Sequence, residues 1–191
     1  MLALWPMLLK RTAAYGTIAA AAAMMFFLFV QGLLASGTVH RGACMALQLV
    51  EEDRQAPDFT LSGLDGVKKS LADYKGKLVL LHFWATWCAP CLEELPSLYR
   101  MQRAITNDDF ALLTVSVDDN PEIVKDFFAR HGVPPLPVLM DTPRAIAKTY
   151  GTEKFPESYL IDTTGKVRYR IVNKRDWSSG PALACIRSLL H

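Results

Sequence analysis

The segment Lys77-Leu-Val-Leu-Leu-His-Phe-Trp84 constrains this chain more than any other. It is almost unbroken in apolar and β-favouring residues, the pattern of a strand covered on both faces. Cys88-Ala-Pro-Cys91 follows directly, and Leu92, Leu95, Leu98, Tyr99 and Gln102 then recur at helical spacing. The expectation is a central strand that passes into a helix from Cys88 to about Ile105. Pro90 fits the first turn, where its missing N–H is not needed. A second apolar run, Phe110-Ala-Leu-Leu-Thr-Val-Ser-Val117, comes next, and the order strand, helix, strand predicts a parallel pair.

Downstream, Pro121 opens a helix whose Ile123, Val124, Phe127 and Phe128 share a face. Pro137-Val-Leu-Met140 reads as a short strand and Pro143 to Tyr150 as a helix. Ser158-Tyr-Leu-Ile161, the turn Asp162-Thr-Thr-Gly165 and Val167-Arg-Tyr-Arg-Ile-Val172 form a hairpin pattern, and Pro181 to Leu190 a closing helix. Upstream, Pro57-Asp-Phe-Thr-Leu61 has strand character, and Gly63-Leu-Asp-Gly66 is a turn before Leu71 to Tyr74. These elements predict one α/β domain over residues 57–191, a mixed central sheet flanked by helices. Val39 to Ala56 shows little periodicity, so residues 37–56 read as a linker.

Ahead of the linker, Thr12 to Val39 contains no charged side chain, and Ile18 to Val30 is almost wholly apolar. A bilayer core needs roughly 20 such residues in a helix, so residues 12–36 are expected to span the cytoplasmic membrane once as a signal-anchor. Lys10 and Arg11 precede it, which keeps residues 1–11 cytoplasmic and sends the domain to the periplasmic side. A cleaved signal peptide is the alternative that Ala35, Ser36 and Gly37 permit. A buried core helix fits poorly with so long an uncharged run, and a lipoprotein reading fails at Cys44 because Arg41 stands where an apolar residue is expected. Of 21 Lys/Arg, all but Lys10 and Arg11 lie beyond residue 39, where they match 19 Asp/Glu, and this balance argues against a nucleic-acid partner.

Two residues between cysteines at a helix N-terminus let the sulfurs reach bonding distance, while the exposed N–H groups and the dipole favour a thiolate on the first. Cys88 is then the nucleophile that forms a mixed disulfide, and Cys91 resolves it. A zinc site would need a second close pair of ligands. Cys44 and Cys185 are isolated, and His40, His82, His131 and His191 show no ligand spacing, so neither metal nor cofactor is expected. An even cysteine count in an oxidising compartment suggests a second, structural disulfide between Cys44 and Cys185, with two free thiols as the alternative.

From Ala56-Pro-Asp-Phe-Thr-Leu61, through Lys75-Gly-Lys-Leu-Val-Leu-Leu81, Phe83-Trp-Ala-Thr-Trp-Cys-Ala-Pro-Cys91, Glu94-Leu-Pro96 and Val115-Ser-Val-Asp118, to Phe155-Pro-Glu-Ser-Tyr-Leu-Ile-Asp162, the chain resembles the TlpA/ResA group of thioredoxin-like proteins. The cytochrome c maturation proteins of the CcmG type are similar too. The resemblance implies a thioredoxin-like fold and a thiol-disulfide oxidoreductase. By the same resemblance Pro156 is the cis-proline beside the cysteines, and Glu157 the acidic residue that CcmG-like members carry after it. Trp87, Pro90, Pro156, Glu157 and His82 are thus the residues expected to bind substrate or tune the thiols. Glu157 has a solvated surface carboxylate as its alternative. His82 departs from the pattern, since thioredoxins carry a buried acid there and many relatives asparagine. A proton-handling imidazole and a hydrogen-bonded core histidine both fit it. The implied partners are exported disulfide-bearing proteins, such as apocytochrome c or proteins with copper-site cysteines, and a membrane thiol donor of the DsbD/CcdA type. A peroxiredoxin-like peroxidase lacks its P-x-x-x-T-x-x-C context here, because Ala85 stands three residues before Cys88. A copper-binding chaperone module would prefer C-x-x-x-C.

Overall fold

A computed structural model describes residues 19–32, 42, 44–134 and 136–190. The chain divides into two units, Met1–Gly42 and Ala43–His191. In the first, residues 19–32 are helical. The remainder of the expected span 12–36, with Lys10 and Arg11, lies outside the described residues, among which no helix is long and apolar enough to cross a membrane.

The second unit is built on one eight-stranded sheet in the order β1-β8-β7-β4-β5-β6-β2-β3. Its strands are β1 (Val50–Gln55), β2 (Thr60–Gly63), β3 (Lys68–Ser70), β4 (Leu78–Trp84), β5 (Phe110–Ser116), β6 (Val138–Met140), β7 (Glu157–Ile161) and β8 (Lys166–Val172). The helices are α1 (Ala89–Ala104), α2 (Pro121–His131), α3 (Ala145–Tyr150) and α4 (Gly180–Leu189). Every residue of β4 is buried, as an apolar run in the middle of a sheet requires. It pairs parallel with β5, Leu80 opposite Leu112, and antiparallel with β7, Leu80 opposite Leu160.

Handedness then sets the faces. The crossovers β4-α1-β5 and β5-α2-β6 step the same way across the sheet, and right-handed connections put both helices on one side. Trp84 meets Phe127 and Phe128 of α2 on that side, whereas Phe83 meets Tyr150 of α3 on the other. By alternation His82 points the same way as Trp84, toward the face that α1 covers.

The expected linker 37–56 is corrected at its C-terminal end, because the domain begins before residue 57. Cys44 and Leu47 are buried, a 3-10 turn occupies Met45–Leu47, and β1 pairs antiparallel with β8. β1 holds its place without an apolar face. Asp53 pairs with Lys166 and Arg168 at 3.0 and 3.2 Å, and Glu52 with Arg170 at 3.1 Å, all across to β8. The helix expected from Pro143 starts at Ala145, because Arg144 adopts a left-handed φ of 71°. Asp141 instead caps the helix, accepting the N–H groups of Ile146 and Ala147 at 3.1 and 2.8 Å.

Candidate active site

Beyond Trp84 the residues Ala85, Thr86 and Trp87 turn the chain into α1, and Asp118 holds that turn. Its buried carboxylate accepts the Thr86 N–H at 3.0 Å, the Thr86 hydroxyl at 2.8 Å and the Ser116 hydroxyl at 2.7 Å. The neighbouring loop is tied to the same residue, since the Thr142 hydroxyl donates to the Asp118 carbonyl at 2.8 Å.

Cys88 is the N-cap of α1 and is disulfide-bonded to Cys91, with Cα atoms 5.3 Å apart. Its sulfur accepts the Cys91 N–H at 3.3 Å, one of the donors that a helix start leaves unsatisfied. Pro90 sits in the first turn. Cys88 is 6 % exposed and Cys91 0 %, so an incoming sulfur meets Cys88 while Cys91 stays sealed beneath it. Trp87, 57 % exposed, flanks the pair. Its ring meets Phe155 edge-on at 5.8 Å, and the Arg144 guanidinium lies over it at 5.2 Å.

The Phe155–Pro156 bond is cis, and Pro156 is buried. Phe83 pairs with Glu157, so Pro156 enters β7 at the end of the sheet where β4 gives way to the cysteine loop. Glu157 is no solvated carboxylate. It is 3 % exposed, accepts the Tyr159 hydroxyl at 3.0 Å and pairs with Arg170 at 3.2 Å. Arg170 faces Glu52, which pairs with Arg54 at 2.6 Å, and Arg54 lies 5.7 Å from both the Tyr150 and Tyr159 rings. This alternating chain of charges joins the strand after Pro156 to the edge strand β1.

His82 is fully buried; its Nδ1 bonds the Ser158 hydroxyl at 2.8 Å, and Nε2 has no partner among the described residues. Burial pushes its pKa down to about 3, which keeps the ring neutral. Glu94 behaves oppositely. Three residues after Cys91, it lies on the same helical face, and burial pushes its carboxyl up to about 8 against the lowering effect of the Trp177 indole N–H that donates to it. Its second oxygen has no partner among the described residues. A carboxyl of that pKa is matched to a thiol, whose ordinary value is about 8.5.

Cys44 and Cys185 are also bonded, with Cα atoms 4.6 Å apart, which ties the segment before β1 to α4. Among the described residues no group of His, Cys, Asp and Glu could hold a metal.

The AhpC/TSA family pattern matches residues 53–170. Over 138 residues the chain is 33 % identical to the thiol-disulfide oxidoreductase ResA of Bacillus anthracis, which spans 72 % of this chain and 79 % of that protein. The chain belongs to the AhpC/TSA family. Within it the similarity is to ResA-like proteins, and solved structures agree. A thiol:disulfide interchange protein DsbE from Chlorobium tepidum superimposes with a TM-score of 0.67 at 31 % identity, covering 74 % of this chain and 99 % of that one. StoA of Bacillus subtilis does so at 0.55 and 27 %, covering 63 % and 90 %. The fold is thioredoxin-like, and the chain is a thiol-disulfide oxidoreductase with its redox pair in Cys88-Ala-Pro-Cys91.

The structure gathers Trp87, Cys88, Pro90 and Cys91 at one end of the sheet, brings Phe155 and Pro156 beside them, and buries His82 beneath α1. Sequence reasoning gave no role to Asp118, Glu94 or Arg144. The signal for Glu94 was available: an acid between Cys91 and Leu98, on a helix face that Leu95 otherwise makes apolar.

Proposed function

We propose that this chain reduces disulfides in exported proteins from the outer side of the cytoplasmic membrane, held there by residues 12–36. The observation that carries the reading is the pairing of a slightly exposed Cys88 with a fully buried Cys91 and a buried carboxyl at Glu94. Cys88, as thiolate, attacks a substrate disulfide; the departing sulfur takes up a proton. Cys91 passes its proton to the ionised form of Glu94 and attacks the Cys88 sulfur, displacing the second substrate sulfur, which takes that proton, so the protein dithiol becomes a disulfide and the substrate gains two electrons and two protons. The raised Glu94 carboxyl lies near the ordinary thiol value of about 8.5, which keeps such a transfer close to level in energy. His82, held neutral by burial, is the weaker acceptor.

The Cys44–Cys185 bond supports an oxidising compartment, since disulfides persist outside the reducing cytosol. The uncharged run 12–39 behind Lys10 and Arg11 supports the anchor. Apocytochrome c or a copper-site cysteine pair is the proposed substrate, and a thiol carrier of the DsbD/CcdA type restores the dithiol.

Trapping with Cys91→Ser in membranes tests the assignment. The mixed disulfide on Cys88 then persists, and exported thiol proteins are the expected catch; recovery of cytoplasmic proteins alone overturns the location. A potential below roughly −200 mV supports a reductant, whereas one near roughly −120 mV makes the chain an oxidant.

A further inference from the structure

Disulfide exchange requires a substrate segment to lie against Cys88, and an unpaired cation stands where it would lie. Arg144 is half-buried, with its guanidinium 5.2 Å from the centre of the exposed Trp87 ring. Its backbone sits at a φ of 71°, a region that side chains of this size rarely occupy and that persists only when the surroundings impose it. They do so here. The Arg144 N–H donates to the Asp141 carbonyl at 2.7 Å, the Asp141 carboxylate caps α3 just beyond, and Thr142 is bonded to Asp118. Asp118 also fixes Thr86, so one buried residue sets both the loop before Cys88 and the loop that carries Arg144. Arg54, Arg168 and Arg170 each face a carboxylate within 3.2 Å. Among the described residues none pairs with Arg144. A guanidinium stacked on an indole keeps its N–H edge free for a planar, two-point hydrogen bond to a carboxylate.

We propose that Arg144 is a specificity-determining residue that receives an acidic side chain from the substrate segment carrying the disulfide. The enzyme therefore favours cysteines flanked by Asp or Glu. Trp87 supplies the apolar floor and holds the guanidinium in place, and Phe155 braces Trp87 from the side of Pro156. The inference rests on exchange at Cys88 and is independent of its direction.

Two disulfide peptides that differ only in Glu or Lys beside each cysteine, with the full-length chain, decide the matter. Arg144→Gln should lower kcat/KM for the Glu peptide about tenfold, mostly through KM, while the Lys peptide changes less than about twofold. Arg144→Lys should recover part of the loss, Arg144→Glu should reverse the preference, and added salt should shrink it. The pH at which Cys88 becomes alkylated should not move, because the contact is to the substrate. Equal losses on both peptides overturn the proposal. So does a shifted alkylation curve without a change in preference, which would make Arg144 a tuner of the Cys88 thiolate. If Arg144→Gln does not fold, the natural chain and Arg144→Lys decide: equal rates on both peptides refute the role.

Discussion

Cys88–Cys91 and Cys44–Cys185 are the same bond in opposite settings. The first joins residues 3 apart at the start of α1, where free N–H groups and the helix dipole favour a thiolate and Cys88 keeps a small exposure that Cys91 lacks. The second joins residues 141 apart, with Cys185 inside α4 and both side chains buried. Reactivity here follows the helix end and the access to one sulfur, because neither favours a thiolate at Cys185. One bond is turned over, while the other constrains the chain.

The contrast is broken most directly by Cys88→Ser, which should reduce exchange on a peptide disulfide by about three orders of magnitude or more. Turnover within a factor of ten of the natural chain would remove Cys88 from the nucleophile's place. Replacing Cys44 and Cys185 together with alanine should cost about 2–5 kcal/mol in guanidinium denaturation and leave exchange per folded molecule within about twofold. A large rate loss in a stable variant would mean that the second bond shares in the chemistry. Glu94→Gln sharpens the active side of the comparison, with exchange near pH 8, where the carboxyl ionises and can take the Cys91 proton, slowed about tenfold and the difference shrinking as pH falls below the folded value. Between the ordinary value of 4.5 and the folded value of about 8, the folded chain holds a proton that the unfolded chain has released, so stability falls as pH rises through that window. Urea midpoints at both ends should show the fall in the natural chain and its absence in Glu94→Gln. The smallest expected effect on rate belongs to His82→Asn. Its folded value of about 3 against an ordinary 6.5 means that the unfolded chain binds a proton the folded one refuses. Stability is therefore lost as pH drops from 6.5 toward 3, and the asparagine variant should lose less of it on acidification. An exchange-rate profile shifted at neutral pH would instead give His82 a part in proton transfer.

Much of the fold could be read from the chain because β4, β5 and α1 announce themselves by unbroken or helically spaced apolar residues. β1 did not. Val50-Glu-Glu-Asp-Arg-Gln55 has the composition of a loop, and its place depends on charges 113 to 118 residues away, Lys166, Arg168 and Arg170, that periodicity cannot reach. Glu157 was obscured for the same reason: a carboxylate looks solvated until the hairpin register puts Arg170 within 3.2 Å. The cysteine motif showed the nucleophile, since strand, turn and helix are local. The parts that hold it, Asp118 under Thr86 and Arg144 over Trp87, are long-range pairings of ordinary residues.

The Cys44–Cys185 bond also closes a covalent ring around nearly the whole domain, with Cys88 and Cys91 inside it. A protease that cuts any single loop between residues 44 and 185 therefore releases no fragment. Both pieces stay joined through the two sulfurs, and everything after the cut stays attached to whatever holds the N-terminal end. A nicked copy keeps its parts together for as long as that bond stays oxidised.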